Sequence, residues 1–428
     1  MPLAIMHRFL SHFSKPELVL TLCAFVLRLL LVSFATWYPV SDTRDYHELA
    51  FSLTHGQGYQ QLYNGETEVF KGFTFYAFRE PGYPVFLAIL YSLLGWNPFW
   101  AYVSNAVCDT ITLIGVLLLA KRLLNPRVAL IAGSVWAANV VWTPSLMTES
   151  LFTALFTLLL WLGVTEFYFR SRRHALTFGL LLTLAFFVRP IAAALLPLAA
   201  YSCWRMVRVD SRTAMTTFAC ILIPLLIASA AWTVRNYAVL AAFVPLTTNL
   251  GAHNADSFGV DWQNAFRELR QQGLNEAQIN SYLVRQIEAA VIAQPISAAK
   301  VFVERPFDLL SLTPAWEMTY ILRRLTFGGE GGSSVVQWLY VNAYDIYYAA
   351  YPLSAFGMLF ALLRRLPIGS LLLTLFSFTL LQSIVSPGNV RFAAPFYPIL
   401  CLFAAYAVAT ILQFAVTSAT HARNRKRP

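Results

Sequence analysis

Asp42 and Asp45 stand three residues apart in Ser41-Asp42-Thr43-Arg44-Asp45-Tyr46-His47-Glu48-Leu49-Ala50, directly after the first long apolar segment. A carboxylate at a membrane surface is partly desolvated. That raises its proton affinity and suits it to take a proton from a hydroxyl. At the head of a helix predicted over about 43–55, closed by Gly56 or Gly58, Asp42 would also serve as an N-cap, and the two roles are compatible. Arg79-Glu80-Pro81-Gly82-Tyr83-Pro84 reads as a stiff turn. Its Arg79 is either solvated or faces an anion, for which the planar fork suits phosphate. Thr148-Glu149-Ser150, Arg189-Pro190, Trp232-Thr233-Val234-Arg235-Asn236 and Asn389-Val390-Arg391 fall at the ends of apolar segments, on the side of Asp42. Glu149 would either orient a substrate or cation or serve the fold. The arginines would bind an anion or anchor on lipid phosphate.

These residues must be positioned by membrane helices. The chain is 58% hydrophobic and only 12% charged, against about 25% charged in a soluble domain. A spanning helix needs about 20 apolar residues, and the sequence predicts ten spans, near 17–38, 98–120, 128–144, 150–169, 175–190, 191–207, 214–234, 335–363, 367–386 and 392–415. The fold class expected is therefore an all-α polytopic membrane protein, one integral domain over 1–428. The segment 84–94 is too short to span and reads as a helix lying on the membrane surface. No cleavable signal peptide is evident, so the first span reads as retained.

Charge sets the topology. Seventeen of the 31 Lys and Arg residues cluster at alternate span ends, from Arg8 and Lys15 to Arg423–Arg427, with only Glu17, Glu166 and Asp210 beside them. The other side holds 14 basic against 18 acidic residues. The positive-inside rule makes the first side cytoplasmic, with both termini. Two large loops, 39–97 and 235–334, then face outward. The second contains Asn275-Glu276 followed by Ile279, Tyr282, Leu283, Ile287, Ala290 and Val291, an amphipathic helix stopped by Pro295 and suited to the interface.

The net charge of +10 does not point to nucleic acid, because the basic residues are topological anchors. The five cysteines fall inside spans without metal or redox spacing and read as core residues. The seven histidines are scattered, and neither HExxH nor a phosphate-binding Gly loop with Lys appears. Arg28 and Asp109 lie within spans, where charge is costly. They either pair with each other or touch substrate.

Asp42, Tyr46, Ala50, Leu53 and Gly56-Gln57-Gly58-Tyr59, followed by Arg79-Glu80-Pro81-Gly82-Tyr83-Pro84, resemble bacterial membrane glycosyltransferases of the GT-C superfamily. The likeness is to the family 39-like branch of protein O-mannosyltransferases and lipid A aminoarabinose transferases. Thr148-Glu149, Arg189-Pro190, Trp232 with Arg235-Asn236-Tyr237, and Arg391 with Pro395 and Pro398 follow in the expected order. The resemblance implies a polyprenyl-phosphate sugar donor and an acceptor hydroxyl, met at the periplasmic face of the inner membrane. It also implies Asp42 as the general base. Asp45, Tyr46, Arg79, Glu80, Tyr83, Glu149, Arg189, Arg235, Asn236 and Arg391 would bind substrate. Some relatives use a divalent cation, and the clustered carboxylates here are too few to require one. The alternative is a multi-span transporter or flippase for a lipid-linked or anionic substrate. Transporters commonly show internal repeats, and none is evident.

Overall fold

The computed structural model describes residues 12–34, 41–65, 67–140, 142–143, 145–165, 171–207, 210–309, 334–385 and 390–425. The first apolar helix, α1 (Lys15–Ser33), starts at a capping box in which Ser14 and Glu17 satisfy each other's backbone donors. The polar helix α2 (Ser41–Thr54) follows, then a small antiparallel pair, β1 (Gln61–Leu62) with β2 (Thr74–Phe75), then α3 (Gly82–Leu94). Next come α4 (Phe99–Leu123), α5 (Pro126–Ala138), α6 (Glu149–Thr165), α7 (Arg172–Val188), α8 (Leu196–Val207) and α9 (Ser211–Leu240). The second large loop carries α10 (Leu250–Ala255), α11 (Trp262–Gln271), α12 (Glu276–Ala293) and α13 (Pro295–Leu309). Three long helices close the chain: α14 (Ser334–Leu363), α15 (Gly369–Val385) and α16 (Tyr397–Arg425).

The fold is an all-α membrane bundle. Every predicted span has a helix. Among the described residues, Lys15–Ser33, Phe99–Leu123, Ser211–Leu240 and Phe392–Ser418 are long and apolar enough to cross a membrane. Several others are shorter than the apolar run suggested. The expected 128–144 segment is helical only to Ala138. Beyond it, Arg28 from α1 donates to the carbonyls of Trp136, Ala137 and Asn139, which satisfies acceptors that a longer helix would have used itself. Arg28 also pairs with Asp109 of α4 at 3.6 Å, and Asp109 accepts from the Thr143 hydroxyl at 2.5 Å. Of the two readings left open for this intramembrane pair, the ion pair is the one observed. Asn105 of α4 then donates to the carbonyls of Thr143 and Ser145. Three buried polar side chains thus shape the connection that leads to Thr148 and Glu149.

At the opposite end of the bundle, Lys121 pairs with Glu17 at 2.5 Å. The acidic residue expected on the basic side is neutralised there. The α7–α8 junction also follows from local chemistry. Pro190 lacks an N–H and disfavours helical geometry at the residue before it. Arg189 is accordingly extended (φ −151°, ψ 122°), and a 3-10 turn, Pro190–Leu195, leads into α8.

The two large loops lie at the same end and pack together. Tyr63, Val69, Phe70, Phe75 and Phe78 of the first form one buried cluster with Phe266, Ile279 and Leu283 of the second. Part of the apolar face of α12 is therefore covered by aromatic rings. The α12 helix starts as predicted, at an Asn275 capping box closed by Gln278.

Candidate active site

The helix α2 starts at Ser41, so Asp42 lies in its first turn. Asp45 follows one turn on, and i, i+3 side chains share a helix face. That face meets Arg79. Its Nη2 donates to Asp42 Oδ1 at 2.5 Å and to Asp45 Oδ2 at 2.7 Å, and its Nε donates to Asp45 Oδ2 at 2.9 Å. The two carboxylates differ in access: the Asp42 side chain keeps 16% of its exposure and the Asp45 side chain 3%. Gln61 donates from Nε2 to Asp45 Oδ1 at 2.8 Å and to Glu48 at 3.0 Å.

Burial pushes the Asp45 carboxyl up, the Asp42 charge adds to that, and Arg79 opposes it. Burial likewise raises Glu48. For Arg79, burial works against the charge, but Asp42 and Asp45 outweigh it and hold the guanidinium protonated. The guanidinium fills the position that a cation shared by the two aspartates would take. Among the described residues no three His, Cys, Asp or Glu side chains gather as a metal site. The residues present therefore do not fit a divalent cation between Asp42 and Asp45.

Tyr46 and Tyr83 pack edge to face at 5.1 Å beneath this network. Tyr83 is fully buried, and its hydroxyl has no hydrogen-bond partner among the described residues. Arg79 also stacks near Tyr46 and Phe78. Glu80 is half-buried, and burial raises its pKa. Both Arg79 and Arg189 act on its carboxyl, with Asp42 opposing them. Glu80 therefore lies between two ionic groups. The second group is Arg189, which donates to Thr148 Oγ1 at 2.7 Å and to Glu149 Oε1 at 2.7 Å and stacks near Phe392.

Arg235 is placed differently. It donates to the carbonyls of Tyr76 at 2.6 Å and Tyr59 at 2.5 Å and to Asn236 Oδ1 at 3.0 Å. It also stacks near Tyr59 and Trp232. Asn236 donates in turn to the carbonyl of Val244 at 2.9 Å. Arg235 and Asn236 therefore hold loop backbone. Arg391 belongs to the 3-10 segment Val390–Phe396, and its side chain lies outside the described residues, as does Asn389.

The structure brings Asp42, Asp45, Tyr46, Arg79, Glu80 and Tyr83 into one group, with the Arg189–Glu149 pair adjoining through Glu80. It also adds Gln61, Tyr59 and Glu276, none of which the sequence reading took as a site residue, although Tyr59 closes the first motif and Glu276 stands at the predicted start of α12. Tyr59 donates to the Arg79 carbonyl at 2.8 Å. No local signal shows what they hold, because their partners lie 16, 20 and about 200 residues away.

A family profile described as dolichyl-phosphate-mannose-protein mannosyltransferase matches residues 79–254. It takes in Arg79, Glu80, Tyr83, Glu149, Arg189, Arg235 and Asn236. Asp42 and Asp45 precede it and are joined to it physically by Arg79. No curated protein matches the sequence. Among solved structures, the chain is similar to the oligosaccharyltransferase of Archaeoglobus fulgidus. The apo form is 12% identical, with 94% of this chain and 52% of that one covered and a TM-score of 0.51. The form tethered to an acceptor peptide gives 12% identity, 94% and 50% coverage, and a TM-score of 0.53. ArnT from Cupriavidus metallidurans bound to undecaprenyl phosphate is 13% identical, with 91% and 77% coverage and a TM-score of 0.40. The chain spans about half the length of the oligosaccharyltransferase structures it matches. Over residues 79–254 the chain is thus similar to a family of polyprenyl-type mannosyltransferases by profile, and its helical bundle shares the fold of the archaeal oligosaccharyltransferase.

Proposed function

We propose that the protein transfers a sugar from a polyprenyl-phosphate donor to an acceptor hydroxyl at the periplasmic face of a bacterial inner membrane, with inversion at the anomeric carbon. The observation that carries this reading is the Asp42–Arg79–Asp45 bridge. It sets an accessible carboxylate against a guanidinium that suits phosphate, beside Glu80 and the Arg189–Glu149 pair. The profile match, whose description names a dolichyl-phosphate sugar, supports the donor class.

Asp42 is the general base. It takes the acceptor proton as the acceptor oxygen forms its bond to the anomeric carbon. The bond from that carbon to the phosphate oxygen breaks, and polyprenyl phosphate leaves with the electron pair. A phosphate arriving at Arg79 exchanges with Asp42 for the Nη2 donor and leaves the carboxylate to accept the proton. Fixed donors aimed at the growing charge on the leaving oxygen lower the barrier. Asp45, held by Arg79 and Gln61, keeps the guanidinium oriented throughout.

The test is a deletion strain compared with its parent by glycolipid and glycan mass spectrometry, followed by purified protein with the identified acceptor. Loss of one sugar modification, restored by wild type but not by Asp42→Asn, is the expected result. An unchanged glycan and glycolipid profile, or lipid-linked sugar moved across vesicles without transfer, would replace the enzyme reading with a transporter.

A further inference from the structure

All four backbone groups of Tyr76 and Ala77 are taken by residues far along the chain. Glu276 Oε1 accepts from Tyr76 N at 2.8 Å and from Ala77 N at 2.7 Å. The Tyr76 carbonyl accepts from Arg235. The Ala77 carbonyl accepts from Thr248 N at 2.9 Å. The Thr248 hydroxyl donates to Glu276 Oε2 at 3.0 Å. Two residues after this clamped pair comes Arg79, whose own carbonyl is held by Tyr59.

We infer that Glu276 is a positioning residue for the Arg79 guanidinium, and that through it the second loop sets the geometry of the Asp42–Asp45 centre. A buried peptide group needs a partner, and two of them here share one carboxylate oxygen. Glu276 is only 3% exposed and stands in the first turn of α12, where the helix dipole favours a negative charge. Neighbouring contacts anchor that helix end to the same frame: Asn275 donates to the carbonyl of Leu240, which ends α9. A shift of the Glu276 carboxylate is therefore passed to residues 76–77 and on to Arg79. The short spacing from Ala77 to Arg79 leaves little slack to absorb it.

This inference rests on the reading of Arg79 and Asp42 as the working centre, so the experiment uses a readout that is independent of turnover. Arginine modification by phenylglyoxal, quantified by mass spectrometry of the Arg79 peptide, reports how well the guanidinium is held. The full-length protein is used in detergent. Glu276→Gln preserves the clamp, because its amide oxygen still accepts both N–H groups and its NH2 donates to the Thr248 hydroxyl. Glu276→Asp keeps the charge but is one methylene too short to reach. With both N–H groups left without their shared acceptor, Arg79 should react about tenfold faster or more in Glu276→Asp and Glu276→Ala, and at the wild-type rate in Glu276→Gln. Asn280→Ala is the control. It removes a contact of the same helix one turn on, where Asn280 accepts from the Gly251 N–H, and leaves the Glu276 clamp in place, so Arg79 should be unaffected.

With polyprenyl-phosphate mannose as donor, turnover should follow the same order, with kcat rather than KM affected. Wild-type reactivity of Arg79 in Glu276→Asp overturns the inference, as does an equal increase in Glu276→Gln or in Asn280→Ala. If a deletion strain loses no sugar modification, the functional reading fails while the Arg79 labelling still decides the positioning role.

Discussion

Gly82 meets Phe187 backbone to backbone: a Cβ at position 82 would stand 2.5 Å from the carbonyl carbon and oxygen of Phe187, and 2.5 Å from the N of Val188. The turn that carries Arg79 and Glu80 is thereby seated on the last residues of α7, directly before Arg189. This contact sets Arg79 and Arg189, 110 residues apart in sequence, in adjoining segments.

Gly82→Ala should therefore separate them. The atoms in the way are backbone and cannot rotate aside, so overpacking should cost about 1–3 kcal/mol. A lower melting temperature in detergent is expected, with transfer activity reduced further than the fraction of folded protein explains. A variant with wild-type melting and turnover would show that the seat is not required.

Arg79→Ala would leave Asp42 and Asp45 without their shared cation. Removing one member of a buried ion pair costs roughly 3–5 kcal/mol. Loss of folded yield or of nearly all turnover is expected, with Arg79→Lys restoring little because one ammonium cannot replace the Nε and Nη2 donors together. Arg189→Ala should also cost folding, because it leaves the fully buried Glu149 carboxyl without its cation, and should weaken binding of polyprenyl phosphate. Equal polyprenyl-phosphate affinity in all single-alanine variants of Arg79, Arg189 and Arg235 would move the phosphate elsewhere.

Asp42→Asn should leave expression intact and reduce transfer by roughly 10²–10⁴-fold, the usual contribution of a general base. Asp45→Asn should be milder, because its role is to hold Arg79. A larger loss for Asp45→Asn than for Asp42→Asn would exchange their roles.

Glu276 sets a pH dependence. Burial pushes its carboxyl from 4.5 to about 7, against the hydrogen bonds from Tyr76, Ala77 and Thr248 and the charge of Arg235. A carboxyl raised in the folded state binds more protons there than when unfolded. Its contribution to stability is therefore present at low pH and is lost as pH rises from about 4.5 to about 7. Asp45, Glu48 and Glu80 are raised as well, so the difference between wild type and Glu276→Gln isolates this one group. Thermal melts across pH 4.5–7.5 should show the wild-type curve falling relative to Glu276→Gln. Parallel curves would mean that Glu276 stays ionised throughout.

The orientation is open to chemical labelling. Gln272 in the second loop and Arg172 at the start of α7 are both exposed. A cysteine at 272 should react with an impermeant maleimide on intact spheroplasts, and one at 172 only after lysis. The opposite pattern would place the Asp42 centre in the cytoplasm.

Much of this architecture is legible one segment at a time. Long apolar runs become helices because lipid leaves the backbone no other partner. Pro190 breaks α7 from α8, and Asn275 starts α12. The order of the Asp42, Arg79, Glu149 and Arg189 motifs also points to a family before any coordinates do. The helical class, the side-to-side imbalance of charge and the set of chemically capable residues all follow from residue order alone. Their employment follows from packing. Only in the folded chain does Arg79 bridge Asp42 and Asp45, while Arg235, on sequence an equal candidate for an anion, spends its donors on the carbonyls of Tyr59 and Tyr76. Only there does Glu276 reach residues 76–77. Hydropathy and charge are properties of single segments, whereas a hydrogen bond depends on where two distant segments are brought, and no local pattern encodes that distance.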